Sequence, residues 1–523
     1  MIALWNAFPA VADLLAAASS YHYLAVCLTQ SQLPPLILSA QPSAAERAFA
    51  QAWQQQTACV QFRAVNVLKH LFPHAELWLI PPHEVGHLTD YFDSQTMVWQ
   101  TESVPQTPRP APKPWFIQPS SSPPEHVVII GAGIAGAATA YALATRGVRV
   151  SVLEAATAAH AASGNRQGLL YAKISPYPTA QTELLLGAYG YTHRLLHHLL
   201  PQSEAWQACG VLHLNHNAAE SKRNAALAQQ HEHHELYYGI NAAQASEKAG
   251  IPIAQDGLFW QHGAWIHPPA FVRALLAHPH ITLYEQQPLL HAQYHGEHWQ
   301  LTTPKQQLTA SHIVYCTGAN SPQLTALQAL PWQLIRGQTS LAPANPFSQQ
   351  LNIALSGASY ISPAWQGIHC YGASFVPQNS DSEWRQADEQ HNQNELAQLH
   401  PSLAASFASS SHLLRGHAAV RCDSPDHLPI VGRLGDIAAM QQVYAKLALD
   451  KNYRLNHACP YLPHVWINSA HGSRGLSTAA WCAESVAADI LGLPSPLSRS
   501  LREALHPNRY VVRSIVRGQN QPL

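Results

Sequence analysis

The segment from Val127 to Glu154 constrains this chain more than any other. Val127-Val128-Ile129-Ile130 is a β-branched run suited to a strand buried on both faces, and it leads straight into Gly131-Ala132-Gly133-Ile134-Ala135-Gly136. Ala137 to Arg146 predicts a helix, Gly147 ends it, Val148 to Leu153 predicts a second strand, and Glu154 follows 21 residues after Gly133. A unit of this form binds a dinucleotide. Gly131 permits the tight turn, and Gly133 lets the backbone approach a pyrophosphate at the helix N-terminus, where Ile134 and Ala135 open the helix. Gly136 lets helix and strand pack closely, and Glu154 accepts from a ribose hydroxyl and disfavours a 2′-phosphate. A chance glycine-rich turn would account for the glycines alone; it does not account for strand, helix, second strand and acid in register.

At 523 residues the chain exceeds what one hydrophobic core serves, so two or three structural units are expected. Apolar residues are 47% and charged residues 11%, which excludes an intrinsically disordered chain. Lys and Arg number 29 against 30 Asp and Glu, so no global positive field marks a nucleic-acid binder, and any such contact must be a local patch. The 8 cysteines are scattered without a C-x-x-C pair, which suits reduced thiols in a cytosolic protein. The first twenty residues lack a basic n-region, so no export is expected. The uncharged run Val127–Thr145 has glycines clustered at its start and Arg146 directly after it; it reads as strand and helix, and no membrane span is expected.

Eight prolines between residues 103 and 125 forbid regular hydrogen-bonded structure there and predict a linker. Residues 1–102 carry helical periodicity at Val11–Ala18 and Ala44–Trp53 and strand-like runs at Tyr23–Leu28 and Glu76–Ile80, predicting a small α/β unit. Residues 126–495 hold the dinucleotide chemistry, and 496–523 form a basic tail.

FAD and NAD both use the fingerprint, and three features point to FAD. Ser163-Gly164-Asn165-Arg166-Gln167-Gly168 is a small-residue loop whose amides can continue around a pyrophosphate. Ser311 to Ala319 is a later strand ending in Thr317-Gly318. Val465 to Leu476 repeats strand, turn and helix near the C-terminus, with Gly472-Ser473-Arg474-Gly475-Leu476 placing a helix N-terminus where it can face the electron-rich end of an isoalloxazine ring.

Together these segments resemble the glycine oxidase and D-amino-acid oxidase superfamily over about residues 125–495. A closer resemblance, to the oxidoreductase half of the bifunctional MnmC family, is carried by Lys113-Pro114-Trp115-Phe116, residues 163–168, Trp265-Ile266-His267-Pro268-Pro269-Ala270, Arg336-Gly337-Gln338, Arg421 to Pro429, and Gly472-Ser473-Arg474-Gly475. The resemblance implies an α/β and α+β chain. In it a Rossmann-like FAD-binding domain (about 126–215, 300–330 and 460–495) is interleaved with an antiparallel-sheet substrate domain (about 216–299 and 331–459). It also implies bound FAD, a tRNA substrate, and oxidative removal of the carboxymethyl group from 5-carboxymethylaminomethyluridine, with or without a 2-thio group, at the wobble position, leaving the 5-aminomethyl base. The other half of that family is a methyltransferase using S-adenosylmethionine, which needs a glycine-rich loop. Residues 1–85 contain no glycine, so the N-terminal unit resembles a shortened methyltransferase remnant, and methyl transfer is expected to be absent.

The resemblance places Arg421 as the carboxylate-binding arginine, for which a planar two-pronged donor is well suited; the alternative is a structural pair with Asp423 or Asp426. Arg474 is the second candidate, with a surface helix cap as its alternative. Gln338 either contacts flavin or substrate or makes a strand-end hydrogen bond. His231-Glu232-His233-His234-Glu235 lacks H-E-x-x-H spacing and reads as a solvated helix face, so no metal is expected. Arg499, Arg502, Arg509, Arg513 and Arg517, against Glu503 alone, form a local basic patch that either contacts tRNA or frays. Two other functions stay open: a flavin oxidase of free glycine, sarcosine or a similar small amine, and an inactive FAD-bearing tRNA-binding protein.

Overall fold

The computed structural model describes the chain except residues 30–31, 94, 104–110, 231–234, 408–413 and 519–523. The fingerprint strand Val127–Ile130 is fully buried at the middle of a six-stranded sheet. Its order is Ile281–Tyr284, Val150–Leu153, Val127–Ile130, His312–Tyr315, Tyr461–Ser469 and Ile430–Gly435. All neighbours are parallel except the last, which returns antiparallel. Burial on both faces explains the unbroken β-branched run, since a strand with no solvent face needs no polar alternation. Helices Ile134–Ala144 and Gly475–Leu491 pack on this sheet and on each other, and Ala180–Leu199 packs on Gly475–Leu491.

In the two largest sheets, three strands sit across the expected boundaries between the cofactor and substrate parts. Ile281–Tyr284 and Ile430–Gly435, expected in the substrate part, are edge strands of the six-stranded sheet. Val211–Leu214, expected in the cofactor part, belongs to the second sheet. Strand partnership is decided by long-range register, to which local periodicity is blind.

The second sheet has nine strands among the described residues, mainly antiparallel, with Gln333–Pro343 pairing Ile368–Gly372 on one side and Ala418–Asp423 on the other. Helix Gln386–Leu399 packs on it.

The N-terminal unit is a five-stranded sheet, in order Asn66–Leu68, Glu76–Ile80, Tyr23–Cys27, Ile2–Trp5 and Met97–Trp99, parallel except at Asn66–Leu68. Strand alternation gives it two buried faces. Ala3, Trp5, Leu24, Val26, Leu77 and Leu79 pack with helices Val11–Ala18 and Ala44–Thr57. Ile2, Leu4, Ala25, Cys27, Trp78 and Ile80 join the same core as Tyr189, Trp481 and Val486 of the larger body. The unit is therefore docked on the rest of the chain. The proline-rich connection is anchored too: Trp115 and Phe116 are buried, and the Trp115 carbonyl accepts from Tyr461 and Asn508, each at 3.0 Å.

The tail differs from expectation. It forms helices Arg499–Leu505 and Asn508–Val516, and four of its five arginines are paired with acids. Arg499 meets Asp90, Arg502 meets Asp489, and Arg509 and Arg513 both meet Asp426 at 3.0 and 2.8 Å. The acids that neutralise this patch are distant in sequence, so a local charge count overstates it. Residues 231–234, which hold most of the histidine-rich stretch, lie outside the described residues. Among the described residues no cluster of His, Cys, Asp and Glu is placed to hold a metal, and no helix is long and apolar enough to cross a membrane. All eight cysteines are free thiols.

Candidate active site

The fingerprint loop leaves no room for side chains. Gly131 has φ +104°, and a Cβ there would lie 2.5 Å from the Cys316 carbonyl oxygen. Gly136 is tighter: its Cβ would lie 1.8 Å from the Gly131 carbonyl oxygen, so helix and strand meet backbone to backbone. Gly133 occupies the N-cap of helix Ile134–Ala144, where its Cβ would come within 3.3 Å of Ser163 Oγ. That hydroxyl accepts from the Ile134 N–H at 3.0 Å, which brings the 163–168 loop to the helix N-terminus. Ala135, next along, is buried.

Glu154 stands at the end of the second strand, its carboxylate accepting from the amides of Ala132 at 2.8 Å and Ala156 at 2.9 Å. This pins an acceptor beside the glycine turn. The third strand end adjoins: Cys316 N–H donates to Ile130 O at 2.8 Å, Thr317 Oγ1 and Ser321 Oγ are 2.8 Å apart, and Gly318 takes φ +49°.

The C-terminal turn closes on the same place. Gly472 has φ +55°, and Gly472–Arg474 form one tight turn leading into helix Gly475–Leu491. A Cβ on Gly475 would sit 3.4 Å from Ile134 Cγ2, so the N-termini of two helices converge. A Cβ on Gly168 would meet Leu476 Cδ1 at 2.5 Å, which ties the 163–168 loop to this turn, and half-buried Asn165 lies within that loop. Two helix N-termini, a glycine cradle and a fixed carboxylate fit a dinucleotide with an anionic pyrophosphate, because the positive dipole ends of two helices meet there. Ser473 is exposed on the turn. His471 beneath it is held neutral, burial pushing its pKa down to about 3, and it bridges Thr478 and Asn468.

Arg421 lies on Ala418–Asp423 opposite Ile335, with its guanidinium over Gly337, where a Cβ would stand 2.4 Å from it. It donates to the Ser374 carbonyl at 3.3 Å, and no carboxylate pairs with it among the described residues. Burial works against its charge, and the nearby Tyr360 partly offsets that. The acids named as its alternative partners are engaged elsewhere: Asp423 with His427 at 2.8 Å, and Asp426 with Arg509, Arg513 and Tyr510. Arg474 is half-buried beside Asp423 and Tyr171, its pKa lowered by burial.

The Gln338 side chain is engaged at the N-terminus of helix Gln386–Leu399. Its Oε1 accepts from Arg336 and from the Arg385 amide, and its Nε2 donates to the Arg385 carbonyl at 2.9 Å. Strand alternation turns it to the face opposite Gly337 and Arg421. Two residues were missed. Tyr360 donates to Gln167 O at 3.2 Å within the loop and lies near Arg421, and Tyr171 follows strand Gly168–Leu170. Neither belongs to a motif; Tyr171 had only its nearness to the 163–168 loop as a signal.

The sequence model of the family described as DAO, FAD dependent oxidoreductase, matches residues 126–489. The chain is 40% identical over 418 residues to the tRNA 5-methylaminomethyl-2-thiouridine biosynthesis bifunctional protein MnmC of Stutzerimonas stutzeri, covering 79% of this chain and 63% of that protein. It is 39% identical to the protein of the same name from Chromobacterium violaceum, covering 78% and 63%. The chain thus spans less than two thirds of the length of these relatives. Among solved structures, L-proline dehydrogenase from P. horikoshii aligns with TM-score 0.60 and 16% identity, covering 76% of this chain and 99% of that one. Glycine oxidase from Bacillus cereus aligns with TM-score 0.56 and 17% identity, covering 70% and 95%.

Proposed function

The chain belongs to the DAO family of FAD-dependent oxidoreductases, and from that premise we propose that it removes the carboxymethyl group from 5-carboxymethylaminomethyluridine, or its 2-thio form, at the tRNA wobble position. The observation that carries this reading is Arg421, a half-buried guanidinium without a carboxylate partner among the described residues, on the strand whose Asp423 a Cβ on Gly472 would meet at 2.9 Å. A cation kept this way is stabilised by an incoming carboxylate, which restores the pairing that burial demands. The names of the relatives support a tRNA base as the molecule carrying that carboxylate.

We assign FAD to Gly131, Gly133, Ile134, Ala135, Gly136 and Glu154, the loop residues Ser163, Gly164, Asn165 and Gly168, the strand end Thr317 and Gly318, and the turn Gly472 to Leu476. When bound, FAD supplies the two-electron oxidation of the carbon between amine and carboxylate. Arg421 holds the carboxylate in a two-pronged pair and so orients that carbon. Arg474, at the mouth of the same turn, adds positive charge. Water then hydrolyses the oxidised C–N bond to the 5-aminomethyl base and glyoxylate. Neutral His471 keeps a second positive charge out of the turn.

Residues 1–102 are assigned no methyl-transfer activity, since no glycine loop precedes Gly86 and both faces of their sheet are covered. Nucleoside mass spectrometry of tRNA before and after incubation tests the assignment. The expected result is loss of the carboxymethylaminomethyl nucleoside with matching gain of the aminomethyl one. Oxidation of free sarcosine or glycine with no change in the tRNA nucleosides would overturn it.

A further inference from the structure

Arg421 accounts for one end of a carboxymethylamine and leaves the amine without a partner. The register of the second sheet supplies one. Ser356 pairs with Tyr360 across the hairpin Ala354–Ser356 and Tyr360–Ile361, and with His213 on the neighbouring parallel strand. Residues directly opposite in a sheet share a face, with Cβ atoms about 5 Å apart across an antiparallel pair. His213, Ser356 and Tyr360 therefore form one row, and Tyr360 lies within electrostatic reach of Arg421. At the centre of the row Ser356 Oγ is 2.7 Å from Tyr171 Oη. Tyr171 lies within electrostatic reach of Arg474, at the cofactor side of the site.

The hydrogen-bond chain from this tyrosine has one permitted direction. Glu220 Oε2 lies 2.9 Å from His213 Nε2, and Lys173 at 3.0 Å and Arg223 flank the same carboxylate. Glu220 is ionised: burial pushes its pKa up, but the hydrogen bonds from Lys173 and His213 and the charge of Arg223 hold it at about 2. A carboxylate only accepts, so His213 donates from Nε2. His213 is neutral, its pKa lowered to about 4 by burial, with Glu220 opposing and Arg223 and Lys173 assisting. Nδ1 then carries a lone pair and accepts from Ser356 Oγ at 3.4 Å. Ser356, having given up its hydrogen, accepts from Tyr171. The Tyr171 hydrogen is thereby directed away from the site, and its oxygen retains only acceptor capacity.

We propose that Tyr171 is the amine-binding residue, accepting an N–H of the substrate's secondary amine beside the Arg421-held carboxylate, with Ser356, His213 and Glu220 as positioning residues that fix its direction. The inference rests on the reading of Arg421 above. An amine donates where an ether oxygen cannot, so the chain selects carboxymethylamine over carboxymethyl ether.

The test compares two anticodon stem–loop RNAs, one carrying 5-carboxymethylaminomethyluridine and one carrying its isostere with an ether oxygen in place of the NH. Binding is measured by fluorescence anisotropy on flavin-loaded protein with the flavin pre-reduced, so neither RNA turns over. Wild type is expected to prefer the amine by about tenfold or more. Tyr171→Phe should abolish the preference while ether binding stays within about twofold, which also reports an intact fold. Glu220→Gln, which lets an amide N–H face His213 and frees the chain to reverse, should cut the preference by about threefold or more. The double variant should lose no more than Tyr171→Phe alone. Absence of a preference in wild type, its survival in Tyr171→Phe or Glu220→Gln, or equal loss of both RNAs in Tyr171→Phe would overturn the proposal. Arg421→Ala separates the two readings, since it should weaken both RNAs alike; if it weakens neither, the carboxylate reading fails while the amine preference still judges Tyr171.

Discussion

Arg146 Nη2 lies 2.7 Å from Glu484 Oε2, and the same carboxylate oxygen bonds Lys69 of the N-terminal unit. Tyr191 donates to the other oxygen at 2.5 Å. One buried acid thus ties together the fingerprint helix's C-terminal end, two further helices of the larger body and the N-terminal sheet, whose Glu76 lies 3.7 Å from Arg146.

Removing that acid leaves Lys69 and Arg146 with only the longer contacts to Glu76, at 3.6 and 3.7 Å. Glu484→Gln is expected to destabilise the folded protein by about 3 kcal/mol, the lower end for a broken buried pair, because Glu76 compensates the two cations in part. Chemical denaturation of wild type and variant measures it. A loss below about 1 kcal/mol would show the cluster to be solvent-relaxed.

The same group predicts an acid limb. Burial pushes the Glu484 pKa up, but the charges of Arg146 and Lys69 prevail and hold it at about 2. The folded value is below the unfolded one, so the stabilisation is complete above about pH 4.5 and is lost as pH falls toward 2. Stability measured from pH 6 to pH 2.5 should therefore fall more steeply in wild type than in Glu484→Gln.

Two glycine substitutions should separate cofactor loss from fold loss. Gly133→Val projects toward Ser163 at the helix N-terminus, so FAD content should drop while the fold persists. Gly136→Ala drives a methyl into the Gly131 carbonyl and should cost stability at the upper end of the ~1–3 kcal/mol typical of overpacking. Flavin absorbance per chain and thermal melting distinguish the two; unchanged flavin content in Gly133→Val counts against the cradle.

Arg421→Ala should lower kcat/KM for the modified tRNA by about one to two powers of ten, the consequence of losing a charge-assisted pair worth ~1.5–3 kcal/mol. Arg421→Lys should recover part of this, since a point charge cannot make two parallel bonds. Single-turnover flavin reduction at matched flavin occupancy is the measurement, and wild-type rates in both variants would move the role to Arg474.

S-adenosylmethionine is expected not to bind, because the N-terminal sheet has no glycine loop at a strand end and is packed on both faces. Saturable binding by calorimetry would reverse this.

The steric cradle proposed for FAD was legible in the residues because its determinants are local. Gly131, Gly133, Gly136 and Glu154 lie within one strand–helix–strand unit, and backbone sterics alone demand glycine where a Cβ would strike a carbonyl. The substrate half was legible only in part. Arg421 followed from a resemblance, but its lack of a carboxylate partner depends on Asp426 being held by Arg509 and Arg513, 83 and 87 residues away. The tail arginines read as a basic patch, but Asp90, Asp426 and Asp489 pair four of the five, and Gln338, open in the sequence between a site contact and a strand-end bond, is bonded to Arg385. Tyr171, Ser356, His213 and Glu220 form a chain only through pairing between strands from separate parts of the sequence. Local sterics and periodicity are properties of short segments and can be read along the chain. Charge pairing and the direction of a hydrogen bond are properties of neighbours in space, and folding alone chooses those neighbours.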